Sequence, residues 1–145
     1  MRQNQLLGTW RLLSWENRSV AGDVTHPLGP DAVGYLTYTA DGYMFVVLMR
    51  AGRAAFSADD LLAGSSGELA AAASSYVSYA GTYELRASTV VHHVRASLFP
   101  NWVGTDQERL VEWDNGRLIL STVPTVFGGR RQTARLVWER AGTSA

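Results

Sequence analysis

Neither cysteine nor lysine occurs in this chain, and all thirteen of its basic residues are arginine. Without cysteine there is no disulfide framework, no thiol nucleophile and no thiolate-held zinc or iron–sulfur cluster. Without lysine there is no Schiff base, no pyridoxal-phosphate anchor and no phosphate-loop lysine. Net charge is also missing: basic and acidic residues balance at +0, so the long-range field that nucleic acid or an anionic membrane would reward is absent, and neither is expected as a partner. Met1-Arg2-Gln3-Asn4-Gln5 leads into a strand-like pattern with no apolar signal stretch, which makes a cytoplasmic location the expectation. The sequon Asn17-Arg18-Ser19 is then incidental.

What is present is a core. Apolar residues make up 46% of the 145 positions and aromatics 10%, which suits one folded domain spanning 1–145. Short β-patterned segments separated by turn residues fill most of it, at 7–18, 34–39, 43–50, 81–86, 89–97, 105–113, 117–122 and 131–140. Asp41-Gly42 and Asp114-Asn115-Gly116 tolerate positive φ and predict tight hairpins. Segment 57–79 breaks the pattern. Ser57/Asp60 and Ser65/Glu68 are spaced as capping boxes, and Leu69, Ala72, Ala73, Tyr76 and Ala80 recur at helical intervals, so a helix is expected between the third and fourth strands, lying over one end as a lid or plug. The fold class that follows is all-β, an antiparallel eight-stranded barrel with one helical segment.

Strand periodicity then assigns faces. In 89–97 the apolar set Val90, His92, Val94, Ala96 and Leu98 should face inward, with His93, Arg95 and Ser97 outward. In 105–113 the acidic Glu108 and Glu112 mark the solvent side, which turns Gln107, Arg109, Val111 and Trp113 toward the lumen. A bulge in either strand reverses this parity. An inward arginine keeps its charge and requires a partner, whether a carboxylate, water or an acidic or enolic ligand oxygen. Burial lowers the pKa of histidine and leaves a neutral base or hydrogen-bond donor. His92 and Arg109 are therefore the candidate catalytic pair, able to take a proton from a carbon acid and hold the oxyanion. The alternative is a core histidine bonded to Tyr83 or a backbone carbonyl. Phe45, Tyr83, Val94, Val111, Trp113 and Leu120 are the expected ligand-binding wall. Adjacent His92 and His93 face opposite ways and His26 is distant, so no metal site is expected, and no cofactor either.

Gly8-x-Trp10 at the front and Trp138-x-Arg140 at the end, with Gly34-x-x-x-Tyr38, Tyr79-x-Gly81-x-Tyr83, Val91-His92-His93-Val94 and Pro100-Asn101-Trp102-Val103-Gly104-Thr105 between them, resemble the lipocalin-like domain family of small intracellular bacterial and fungal proteins. The resemblance covers nearly the whole chain. It implies a barrel with a central cavity, Trp10 plugging its base and Arg140 lying over that tryptophan as closure residues. It also implies a natural-product setting in which such barrels act as cofactor-free cyclases or isomerases. The chain departs from secreted lipocalins: no signal peptide, no cysteine pair, and a helix in mid-chain. Two expectations follow, a cofactor-independent cyclase or isomerase acting on a polyketide- or terpenoid-like substrate, and a non-catalytic carrier or binding protein for a hydrophobic small molecule, with or without an acidic head group. Both have a hydrophobic small molecule as partner, and a homodimer is compatible with either.

Overall fold

The computed structural model describes residues 1–142. Its strands are β1 (Gly8–Ser19), β2 (Val24–Thr25), β3 (Val33–Tyr38), β4 (Tyr43–Met49), β5 (Tyr76–Arg86), β6 (Thr89–Ser97), β7 (Asp106–Asp114), β8 (Arg117–Ser121), β9 (Thr125–Phe127) and β10 (Arg130–Arg140). A short helix α1 (Gln3–Leu6) precedes them and α2 (Ser66–Ser74) lies between β4 and β5. Neighbours run β1-β3-β4-β5-β6-β7-β8-β10, and β10 pairs back onto β1. That last ladder closes an antiparallel eight-stranded barrel. The brief strands β2 and β9 add to β1 and β10 at the end where Ser19 meets Gln132.

Turn chemistry sets the hairpins. Asn115 and Gly116 both take positive φ, 51° and 80°, so two residues suffice to carry β7 into β8 with the twist the strands require. Inward-facing Trp10, Leu36, Met44, Val90, Val94, Leu118 and Trp138 form the core between the walls.

One end is shut by the chain's own beginning. Leu6 of α1 is wholly buried, and the Trp10 indole N–H donates to its carbonyl at 2.9 Å. Arg140 lies over the Trp10 ring, 4.2 Å from the centroid, while its guanidinium donates to the carbonyls of Leu7 and Gln5. Gly8 allows this approach, because a Cβ there would sit 3.2 Å from the Arg140 Nη1.

The helical expectation over 57–79 is corrected at both ends. Ser65 and Glu68 do form the capping box, but Ser57 and Asp60 do not: Ser57 N–H donates to Glu68 and Asp60 accepts from Leu62 N–H. From Tyr76 the chain is strand, since Tyr76 to Thr82 pair with Met49 to Tyr43 of β4. A ladder partner outweighs a few helical spacings. Nor is α2 a lid over the interior. None of its residues is buried, and α1 is the plug.

The inward parity of β6 holds as far as Val94 and then reverses. Ala80 pairs with Ala96 but Gly81 with Val94, which leaves Arg95 as the extra residue of a bulge. Ala96 and Leu98 consequently face out, against expectation, and Ser97 turns in beside Tyr79. The bulge depends on Gly81, where a Cβ would fall 1.8 Å from the His93 carbonyl oxygen. Gly81→Ala is expected to cost at least about 3 kcal/mol by this clash. Gly67→Ala, on a helix position with nothing within 4 Å, is expected to stabilise by up to about 1 kcal/mol. Urea denaturation of the two variants checks both signs.

Candidate functional site

The barrel interior is not filled at its second end. A cavity of about 90 Å³ lies there, lined by residues of all eight barrel strands together with Trp102 and Phe127. Its walls are largely apolar: Trp15, Leu36, Val46, Leu48, Leu120 and Trp138. Tyr79, His92, Gln107 and Arg109 bring polar groups from the neighbouring strands β5, β6 and β7, and Thr122 and Thr125 add hydroxyls near β8 and β9.

His92 is 1% exposed and both of its ring nitrogens are engaged. Nε2 pairs with the Tyr38 hydroxyl at 2.7 Å and Nδ1 with the Tyr79 hydroxyl, also at 2.7 Å. Three strands bring these groups together: Tyr38 ends β3, Tyr79 lies in β5 and His92 in β6. Burial pushes the His92 imidazole well below its usual pKa, and the Arg109 charge, then that of His93, act the same way. Burial likewise raises Tyr38 well above the ordinary phenol value, helped by Tyr79 and opposed by Arg109. Tyr79 is raised by burial and pulled back by Arg109. All three therefore stand neutral near pH 7.

Arg109 sits half-buried at the mouth, its guanidinium donating to the Glu108 carbonyl at 2.9 Å and reaching Gln107 Oε1 at 3.5 Å. No carboxylate pairs with it among the described residues. The cation thus keeps donors to spare beside the cavity.

Of the residues singled out from the sequence, His92, Arg109 and Leu120 line this cavity. Phe45 does not: it lies on the outer face, 51% exposed, because Met44, Val46 and Leu48 take the inner positions of β4. That strand is apolar on both faces, so periodicity carried no parity. Trp113 is a second correction, standing partly exposed at the plugged end with its ring 5.9 Å from that of Trp10. Tyr83, Val94 and Val111 do point inward, but they belong to the packed core beneath the cavity. Tyr83 does not hold His92: its hydroxyl donates to the Thr39 carbonyl and accepts from Gln3. The two tyrosines that do hold it stand in the motifs that carry the family resemblance, but sequence reasoning gave them no role at His92, Tyr79 because it fell inside the expected helix. The period-two run Val77, Tyr79, Gly81, Tyr83 was the available signal.

Comparison with known proteins is consistent with this architecture. A family model described as Lipocalin-like domain matches residues 7–141. The chain belongs to the lipocalin-like domain family. A relative from Aspergillus oryzae (strain ATCC 42149 / RIB 40), named 4'-hydroxy-3'-methoxypropiophenone carrier protein ppsC, is 38% identical over 106 residues, covering 67% of this chain and 96% of that protein. Among solved structures, a lipocalin-like protein from Bacteroides uniformis ATCC 8492 is 12% identical, with 94% of this chain and 98% of that one aligned at a TM-score of 0.48. An uncharacterized protein from Bacteroides eggerthii DSM 20697 is 14% identical, with 92% and 98% aligned at a TM-score of 0.47. Among the described residues there is no helix long and apolar enough to cross a membrane.

The buried imidazole makes stability depend on pH. The unfolded histidine takes up a proton below about pH 6.5 while the folded one does not, so the unfolded state binds more protons and stability falls as the pH falls. The contribution is complete above that value and is lost below it, at up to about 1.4 kcal/mol per pH unit. Urea midpoints at about pH 7.5, 6.5 and 5.5 should show this slope, and His92→Gln should flatten it.

Proposed function

We propose that this protein binds and carries a small aromatic ketone in the barrel cavity. The observation that carries the reading is the cavity's combination of an aromatic and aliphatic wall with a few polar groups that have unspent donors. Apolar walls gain from desolvating a ring, and a few placed polar groups orient it. The 38% identity to a protein named as a carrier of an aryl ketone supports the same ligand class.

An apolar cavity of roughly 150 Å³ takes a benzene ring, whereas this one measures about 90 Å³. A ring therefore enters with movement at the mouth. Trp102 lies on a single turn between β6 and β7, and Phe127 on the short β9, both outside the closed ladder. These side chains can swing without breaking a barrel strand. The same volume gives no support to folding a long polyketide or terpenoid chain inside the barrel.

Trp15, Trp102 and Trp138 line the cavity, so ligand entry should quench tryptophan fluorescence. For 4'-hydroxy-3'-methoxypropiophenone, roughly 13 non-hydrogen atoms at about −0.5 kcal/mol each put Kd on the order of 10 µM. Ala134→Leu adds bulk at a buried cavity residue and is expected to weaken binding at least tenfold. Unsaturable quenching, or an unchanged Kd in that variant, would count against the carrier reading.

A second reading rests on the Tyr38–His92–Tyr79 chain. His92 presents no free nitrogen to a ligand, but the Tyr79 O–H and the Arg109 cation can hold the oxyanion of an enolate while water takes the α-proton, the arrangement of a keto–enol isomerase. Deuterium uptake at the α-carbon of propiophenone in D₂O separates the two. Carriage alone gives exchange at the uncatalysed rate, while isomerase action gives protein-dependent exchange that is lost in Tyr79→Phe.

A further inference from the structure

Tyr38 is 1% exposed and does not line the cavity, and its hydroxyl has one hydrogen-bond partner, His92 Nε2. A buried phenol proton with no acceptor is costly, whereas an acceptor lone pair left idle is not. Tyr38 therefore donates to Nε2. A neutral imidazole carries one proton, which must then sit on Nδ1 and be donated to the Tyr79 oxygen. The reversed arrangement would strand the Tyr38 proton in the packed core. The Tyr79 hydroxyl proton is left without a protein acceptor among the described residues, and Tyr79 is a cavity wall.

A second observation points the same way. The Trp138 indole N–H is buried with no hydrogen-bond partner, and Trp138, 1% exposed, lines the same cavity. An indole nitrogen can only donate. Arg109, also on the wall, only donates as well.

We infer that the cavity offers its ligand spare donors, the acceptor oxygens of Gln107 and Thr122 on its wall already taking the Arg109 guanidinium and the Ala134 N–H: Tyr38 acts through His92 to turn the Tyr79 O–H toward the ligand, and Tyr79 and Arg109, with the unpartnered Trp138 N–H, select a carbonyl-type acceptor oxygen over hydrocarbon. A ketone oxygen has two lone pairs and no proton. It satisfies such donors, where a hydrocarbon of the same shape leaves them unpaired. This specificity rests on the carrier reading for its ligand, but the direction of the relay does not.

Two experiments separate them. In the unliganded protein labelled with ¹⁵N, long-range ¹H–¹⁵N correlation of the His92 ring is expected to show Nδ1 protonated and Nε2 bare. The opposite tautomer overturns the relay. In the second, propiophenone and n-propylbenzene are titrated against tryptophan fluorescence. Propiophenone is expected to bind at least about tenfold tighter, as the cost of leaving buried donors unpaired predicts. Tyr79→Phe should reduce that preference to within about twofold. Tyr38→Phe, which removes no cavity atom, should shift the tautomer and lower the preference several-fold while both variants keep the wild-type circular dichroism. Equal affinities in the wild type, or a preference surviving Tyr79→Phe, overturn the donor site and leave a carrier of undirected apolar ligands. Failure of both probes to bind overturns the carrier reading and the selectivity with it.

Discussion

The ladder between β1 and β10 is the constraint on which the rest depends. Pairing Trp10 with Arg140 at one end and Ser19 with Gln132 at the other converts an open meander into a closed wall, and only a closed wall has an inside. The closure also juxtaposes chain positions more than a hundred residues apart, so the Arg140 guanidinium can cap the carbonyls of Leu7 and Gln5 and cover the Trp10 ring. With the first helix as floor, the interior is packed solid at one end. The unfilled volume is thereby confined to the other, beneath Trp102 and Phe127.

Within that volume the polar groups form a graded set. Tyr38 lies deepest, His92 spans the gap, Tyr79 reaches the wall, and Arg109 stands half-buried at the rim. Burial keeps the inner three neutral, and the arginine charge works in the same sense on the imidazole. A charged histidine there would face both desolvation and a neighbouring cation. A neutral one can be held between two phenols and lose little, since each of its nitrogens has a partner. The arrangement suits orientation of a ligand oxygen better than direct attack by the imidazole, whose nitrogens are both spent.

Much of the barrel was legible residue by residue. Glu108 and Glu112 marked the outer face of β7 and so placed Arg109 inside. His92 sat among valines, and Gly-x-Trp with Trp-x-Arg flagged the closure. Where a strand is apolar on both faces, as in Tyr43–Met49, alternation has no contrast to read, and Phe45 was assigned to the wrong side. Tyr76 and Ala80 illustrate a different failure: their spacing fits a helix, yet their hydrogen bonds go to β4. The short β2 and β9 escaped because two or three residues carry no period.

Sequence alone determined the class of fold, the inward direction of His92 and Arg109, and the chemistry closed to a chain without cysteine or lysine, because these follow from local alternation and from side-chain types. Tertiary structure alone decided which groups meet. The partnership of Tyr38, Tyr79 and His92 depends on the register of three strands and on a bulge at Gly81 and Arg95, and the orphaned Trp138 N–H on what the opposite wall fails to offer. Such contacts span distances along the chain over which periodicity carries no information, and one inserted residue reverses every face beyond it.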